Sequence, residues 1–300
     1  MSLSALFAAA ALAVAAAQTG GTTPPAEAAP PAEPATTVEG VVVTAAPKET
    51  VSEFVRAIAE ETRSGRIARW NKTICPATLG LQRRYAEYLN DRLGLIARDA
   101  GVKVAEPGCR PDILIIVSGD VPTLLAELEK EHGEVFAVRR WSYERTSSGG
   151  SQSFEDFMQT PRPVRWWHVS EEVPADGQPF QGDGKTVRVQ PSRVRSSMRD
   201  DFQHVIIVVD AQQARGVSYQ ALSDYVAMVA LAQLNPNTST VNVPTVLNLF
   251  NDRDAGRAPV AGVTDWDKAY LKALYGIRAD TPDGRRQRGR IVGGIRKDGN

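Results

Sequence analysis

The stretch that most constrains this chain is SYQALSDYVAMVALAQL, Ser218–Leu234, lying between the aliphatic run Val205–Val209 and the segment PTVLNLFND. Apolar residues at Leu222, Tyr225, Val226, Val229, Ala230 and Leu234 recur at the spacing of one helix face. Ala227, Met228 and Leu231 make the opposite side apolar too, and from Tyr225 to Ala232 there is no charge. A helix that is apolar all round has to be buried all round. It therefore forms an inner layer against which a sheet and other helices must pack.

The neighbouring segments supply those partners. Ile113–Val117 and Val205–Val209 are unbroken aliphatic runs, read as central strands covered on both faces. Helices are expected over Glu49–Thr62, stopped at Gly65, over Pro122–His132, and over Leu81–Ala100, the last with Leu81, Tyr85, Leu89, Leu93, Ile96 and Ala97 inward. Arg69–Cys75 reads as a first strand and Val102–Ala105 as a short one. Val135–Trp141, Val164–Val169 and Thr186–Val189, the last after a turn at Gly182–Gly184, read as an antiparallel region. The final regular element is VTDWDKAYLKALYG. Thr264 caps it, Asp267 sits in its first turn, Trp266, Tyr270, Leu271, Leu274 and Tyr275 share a face, and Gly276 ends it. Alternating helices and strands give an α/β (α+β) class, a mixed sheet with packed helices in one main domain over residues 38–277.

The flanks differ. Residues 1–17, MSLSALFAAAALAVAAA, are too short for a comfortable membrane span and read as a cleaved signal peptide, although no Lys or Arg precedes the apolar run. With no Cys near the cleavage point, no lipid anchor is expected, and no later stretch is long enough to cross a bilayer. A periplasmic or secreted location follows. Residues 18–37 are a disordered Pro/Ala linker. Residues 278–300 hold seven Lys or Arg against three Asp and hardly any large apolar group, so a disordered basic tail is expected. Its two readings are weak attraction to anionic lipid or cell-wall polymer and a solvated tail without a partner. The 35 basic and 35 acidic residues of the 300-residue chain balance, which gives no reason to expect nucleic acid. Val38–Lys48 is a β-prone run, either an edge strand of the domain or, since it resembles the TonB box, a segment read by strand addition.

Cys75 and Cys109 are the two cysteines, and an even count in an exported chain reads first as a disulfide; a metal or catalytic thiol is the alternative. His132, His168 and His204 show no ligand spacing, so only the fold could assemble a three-His site from them. No nucleophile elbow is visible. Asp120 and Asp210 follow aliphatic strands, where they either cap the next element or serve a site. In RPVRWWHV, alternation sends Trp166 and Trp167 to opposite faces, so that one is core and one exposed. The exposed one, beside Arg165, forms a candidate binding surface for a sugar or peptide, with rim packing as the plainer reading.

Three pieces in order carry a family resemblance: the buried helix, PTVLNLFND and TDWDKAYLKALYG. Together they resemble the C-terminal half of zincin-type metallopeptidases. The last piece is similar to the final helix of matrixins, and the middle one to the turn beneath the metal. The nearest likeness is to uncharacterised secreted proteobacterial zincin-like proteins, over about a third of the chain. The resemblance implies a zincin-like fold. Aligned on Leu231-Ala232, where the family has Leu-Gly, the H-E-x-x-H positions fall on Tyr225, Val226 and Val229, and the distal ligand on Asn235. A hydrolytic zinc needs about three side-chain ligands and a carboxylate base. Val226 is no base and Val229 no ligand; the nearest carboxylate, Asp224, lies one residue off that face. The expectation is a non-catalytic pseudoenzyme without cofactor or metal, a binding or scaffold protein for an unknown protein or cell-envelope partner. The alternative is a secreted hydrolase with an unrecognised, metal-dependent site.

Overall fold

The computed structural model describes residues 47–136, 152–176, 194–238, 240 and 242–298. Its helices are α1 (Lys48–Ile58), α2 (Arg83–Asp99), α3 (Val121–His132), α4 (Phe154–Gln159), α5 (Tyr219–Leu231), α6 (Leu249–Asp254), α7 (Asp265–Tyr275) and α8 (Gly284–Asp298). Its strands are β1 (Pro76–Leu79), β2 (Ile113–Ser118), β3 (Val164–Pro174) and β4 (Met198–Asp210). They form one mixed sheet in the order β1-β2-β4-β3, with β1, β2 and β4 parallel and β3 antiparallel on the edge. The chain is thus an α/β fold with one sheet and packed helices.

Both faces of the sheet are covered, which is why the central strands read as unbroken aliphatic runs. Val205, Ile207 and Val209 of β4 point into the larger core, shared with α1, α2, α5, α7 and α8. Ile206 and Val208 point the other way, into a smaller core with Val121 and Leu125 of α3, Phe136 and Phe157. On the larger side, Phe54 of α1 meets Trp266 and Tyr270 of α7 edge to face.

Cys75 and Cys109 form a disulfide with Cα atoms 6.1 Å apart. It ties the residue before β1 to the loop leading into β2, beside the hydrogen bond from the Cys75 N–H to Asp112 Oδ1, 2.8 Å. The disulfide expected of the two cysteines is present. The first strand is nevertheless one segment later than expected, at Pro76–Leu79. Arg69 and Ile74 make only isolated bridges, to Asp201 and Val104, so Val102–Ala105 is no strand either. Residues Gly133–Phe136 form a 3-10 turn where a strand was expected to begin. Tyr85, expected inward, is exposed, because α2 buries Leu89, Leu93, Ile96 and Ala97 and leaves the residues before Leu89 exposed or half-buried.

The largest correction concerns residues 278–300. Gly284–Asp298 is a helix, α8, and not a disordered tail. Ile291, Val292 and Ile295 are buried in the larger core, and Gln287 clips the Ile67 backbone through both ends of its amide, accepting at 2.6 Å and donating at 3.3 Å. Gly294 makes the packing possible, since a Cβ there would lie 2.7 Å from the Ala273 Cβ of α7. Among the described residues, no helix is long and apolar enough to cross a membrane. The expected signal peptide, linker, Gly182–Gly184 turn and Thr186–Val189 strand lie outside the described residues, as do Val38–Ala46 and 137–141.

Candidate functional site

α5 begins where Ser218 Oγ accepts from the Ala221 N–H at 3.1 Å, and it ends inside the protein. The last carbonyls of a helix have no partner within it, and burying them bare is costly. Here side chains from three other segments reach them. The Trp70 indole N–H donates to the Ala230 carbonyl (2.9 Å), the Tyr275 hydroxyl to the Leu231 carbonyl (2.6 Å), and the His168 ring bonds the Val229 main chain. His168 also stacks on Phe202 at 4.6 Å between ring centroids. Burial holds its imidazole down at about 3, against the carbonyl, which favours the protonated ring.

The positions aligned with the zinc motif are all occupied by packing. Tyr225 lies edge-on to Trp166 of β3 and to Phe250 of α6, at 6.4 and 5.1 Å between centroids. Burial pushes its phenol well above the usual range, which disfavours the phenolate a metal would need. Val226 and Val229 are 0% exposed in the larger core. Asn235 closes a turn, its side-chain oxygen accepting from the Asn237 N–H at 2.9 Å. Two hydrocarbon side chains, a phenol packed between aromatic rings and a turn amide do not fit a zinc ion and its water.

The three resembling segments do meet in space. Asp267 joins the last two: its carboxylate accepts from the Thr245 hydroxyl, from the Val246 N–H at 2.9 Å and from Thr264, with which it forms the expected capping box. The 3-10 turn Val246–Asn248 and α6 then pack under α5.

The chemistry that α5 does carry is on its other side. Asp224, fully buried, accepts from Arg92 of α2 through Nε (2.7 Å) and Nη2 (2.6 Å), and from the Val263 N–H (2.9 Å). The bidentate fork raises the Arg92 pKa. Gly262 lets the loop come this close, because a Cβ there would lie 2.2 Å from Asp224 Oδ2. Above the ion pair opens a cleft of about 340 Å³ between α2, α5, the 261–263 loop and α7. Leu95, Ile96 and Leu271 give it apolar walls; Gln220, Asp99 and Lys268 place polar groups at its rim. Sequence reading missed this site. The signal it could have used is a lone carboxylate on an otherwise apolar helix.

The remaining candidates resolve as structure. Arg165, Trp166 and Trp167 are 3%, 4% and 1% exposed, so they form no binding surface. Alternation does send the two Trp to opposite faces, but the smaller core covers the face expected to be open. Arg165 donates to the Met158 carbonyl at 2.9 Å, at the end of α4. His168 and His204 sit on opposite faces of the sheet, and His132 is at the exposed end of α3. Among the described residues, no group of three or more His, Cys, Asp or Glu side chains is placed to hold a metal. Asp120 caps α3, and Asp210 accepts from the Gln212 and Gln213 N–H groups in the turn after β4. No protein-family model, curated protein or solved structure matches the chain.

Proposed function

We infer that this chain is an exported, non-catalytic binding or scaffold protein, one that keeps a zincin-like set of helix, turn and final helix without the zinc chemistry. The observation that carries the reading is Tyr225, packed against Trp166 and Phe250 at the first ligand position, above Val226 and Val229 in the core. The disulfide supports export, because such bonds persist in oxidising compartments. The partner in this reading is a protein or another cell-envelope component. The cleft over Arg92 and Asp224 offers a ligand room outside the filled centre. The test is hydrolysis of an unfolded protein substrate by the purified chain, with added zinc and with chelator. No cleavage above blank is expected; cleavage that chelator abolishes would favour the hydrolase instead.

A further inference from the structure

α8 is anchored on one side and cationic on the other. Gln287, Ile291, Val292 and Ile295 face the core, and Arg288 pairs with Glu61. Arg285, Arg286, Arg290, Arg296 and Lys297 are exposed. From Arg285 to Lys297 there is no carboxylate in the sequence. Arg286 leans towards Asp283 at 3.7 Å, while Arg285, Arg290, Arg296 and Lys297 make no ion pair among the described residues. The flanking helices do not neutralise the face. The exposed charges of α1 are Lys48, Glu49, Glu53 and Arg56, which balance, and those of α7 are Asp265, Lys268 and Lys272, which leave one positive charge over.

The spacing is more informative than the count. Successive helix residues turn by about 100° and rise by about 1.5 Å. Arg285 and Arg296 therefore fall in one row and Arg286, Arg290 and Lys297 in another, over a length of about 18 Å. Gly289 and Gly293 lie on the line between the rows, both with open space above them. Nothing bulky keeps the backbone from a flat surface there, and the long arms on either side can reach outward to it. Guanidinium groups match phosphate oxygens with parallel donors. The face carries no exposed large apolar side chain, so nothing on it would insert into a bilayer. In a chain of zero formal net charge, an exposed helix face normally mixes signs; this one does not.

We propose that the outer face of α8 docks the protein on a membrane surface rich in anionic phospholipid, by electrostatics alone. This proposal is independent of the fate of the zinc motif. The test is cosedimentation of the full chain with vesicles of phosphatidylcholine, alone or mixed with phosphatidylglycerol, at low and high salt. Binding is expected to the mixed vesicles only, with release at high salt. Each cation near such a surface is worth about a fivefold gain in partitioning, so Arg285→Gln, Arg290→Gln, Arg296→Gln and Lys297→Gln combined should lower it by nearly three orders of magnitude, about 600-fold. Because these side chains are exposed, melting of that variant should match the parent. A variant with Lys at the three Arg positions should keep binding. Equal binding to both kinds of vesicle, or no effect of the Gln variant, would overturn the proposal. So would tighter, variant-sensitive binding to soluble polyphosphate, which would assign the face to an anionic polymer.

Discussion

Asp224 is the one charged residue of α5, and its position shows how a buried carboxylate is tolerated: three donors from two other segments meet it. Asp224→Ala leaves the half-buried Arg92 and the Val263 N–H without their acceptor and should cost about 1–3 kcal/mol in urea unfolding. Replacing both partners with Leu should recover much of that loss, since no unpaired charge remains. His168 makes a pH prediction. Its folded pKa of about 3 lies below the unfolded value near 6.5, so between these the unfolded chain binds more protons. The contribution is complete above about pH 6.5 and is lost as pH falls, reaching about 2 kcal/mol at pH 5. The drop in stability from pH 7 to 5 should therefore be about 2 kcal/mol smaller in His168→Gln than in the parent. His204, also lowered by burial, remains in both proteins and cancels from the difference. Neither Asp224 nor His168 revealed its role in sequence. Arg92 is 132 residues from Asp224, and no local pattern announces a partner at that distance.

At the scale of elements, legibility followed local consistency. α5, α7, β2 and β4 were readable because periodicity, caps and strand runs agree with what the fold does with them. α8 was not, because its apolar positions occupy barely one turn, Ile291, Val292 and Ile295, among four glycines that disfavour helix. Tertiary packing decides it. Ile291→Ala, at a fully buried position, should cost about 2–5 kcal/mol, and truncation before Gly284 should lower the melting temperature clearly. An unchanged melting temperature after truncation would mean that α8 is not packed. On α5, Val229→Ala should cost about 1–3 kcal/mol by opening a core cavity. Val226→Glu with Val229→His should also destabilise, because it buries polar groups without partners. Both are read from denaturant midpoints. The first strand was misplaced because the β-prone run before Cys75 finds only single bridges, while pairing with β2 begins at Pro76.

Across the whole molecule, the two-sided sheet accounts for what the sequence could and could not show. Aliphatic runs in β2 and β4 announced burial on both faces, yet RPVRWWHV still read as half exposed, because alternation sent its two Trp to opposite faces and only one face was taken as core. The cysteine pairing was legible from the even count together with the expected compartment. The bridge closes a 34-residue separation, so reduction should cost about 3–4 kcal/mol and lower the melting temperature in reductant. The cleft was not legible, since it is assembled from α2, α5, the 261–263 loop and α7. The central claim remains that the buried helix of this chain is structural and carries no zinc. Elemental analysis of the purified protein, paired with thermal melting in the presence and absence of a chelator, tests it most directly. The account predicts no stoichiometric zinc and one melting temperature in both conditions; stoichiometric zinc, or a melting temperature that falls with chelator, would contradict it.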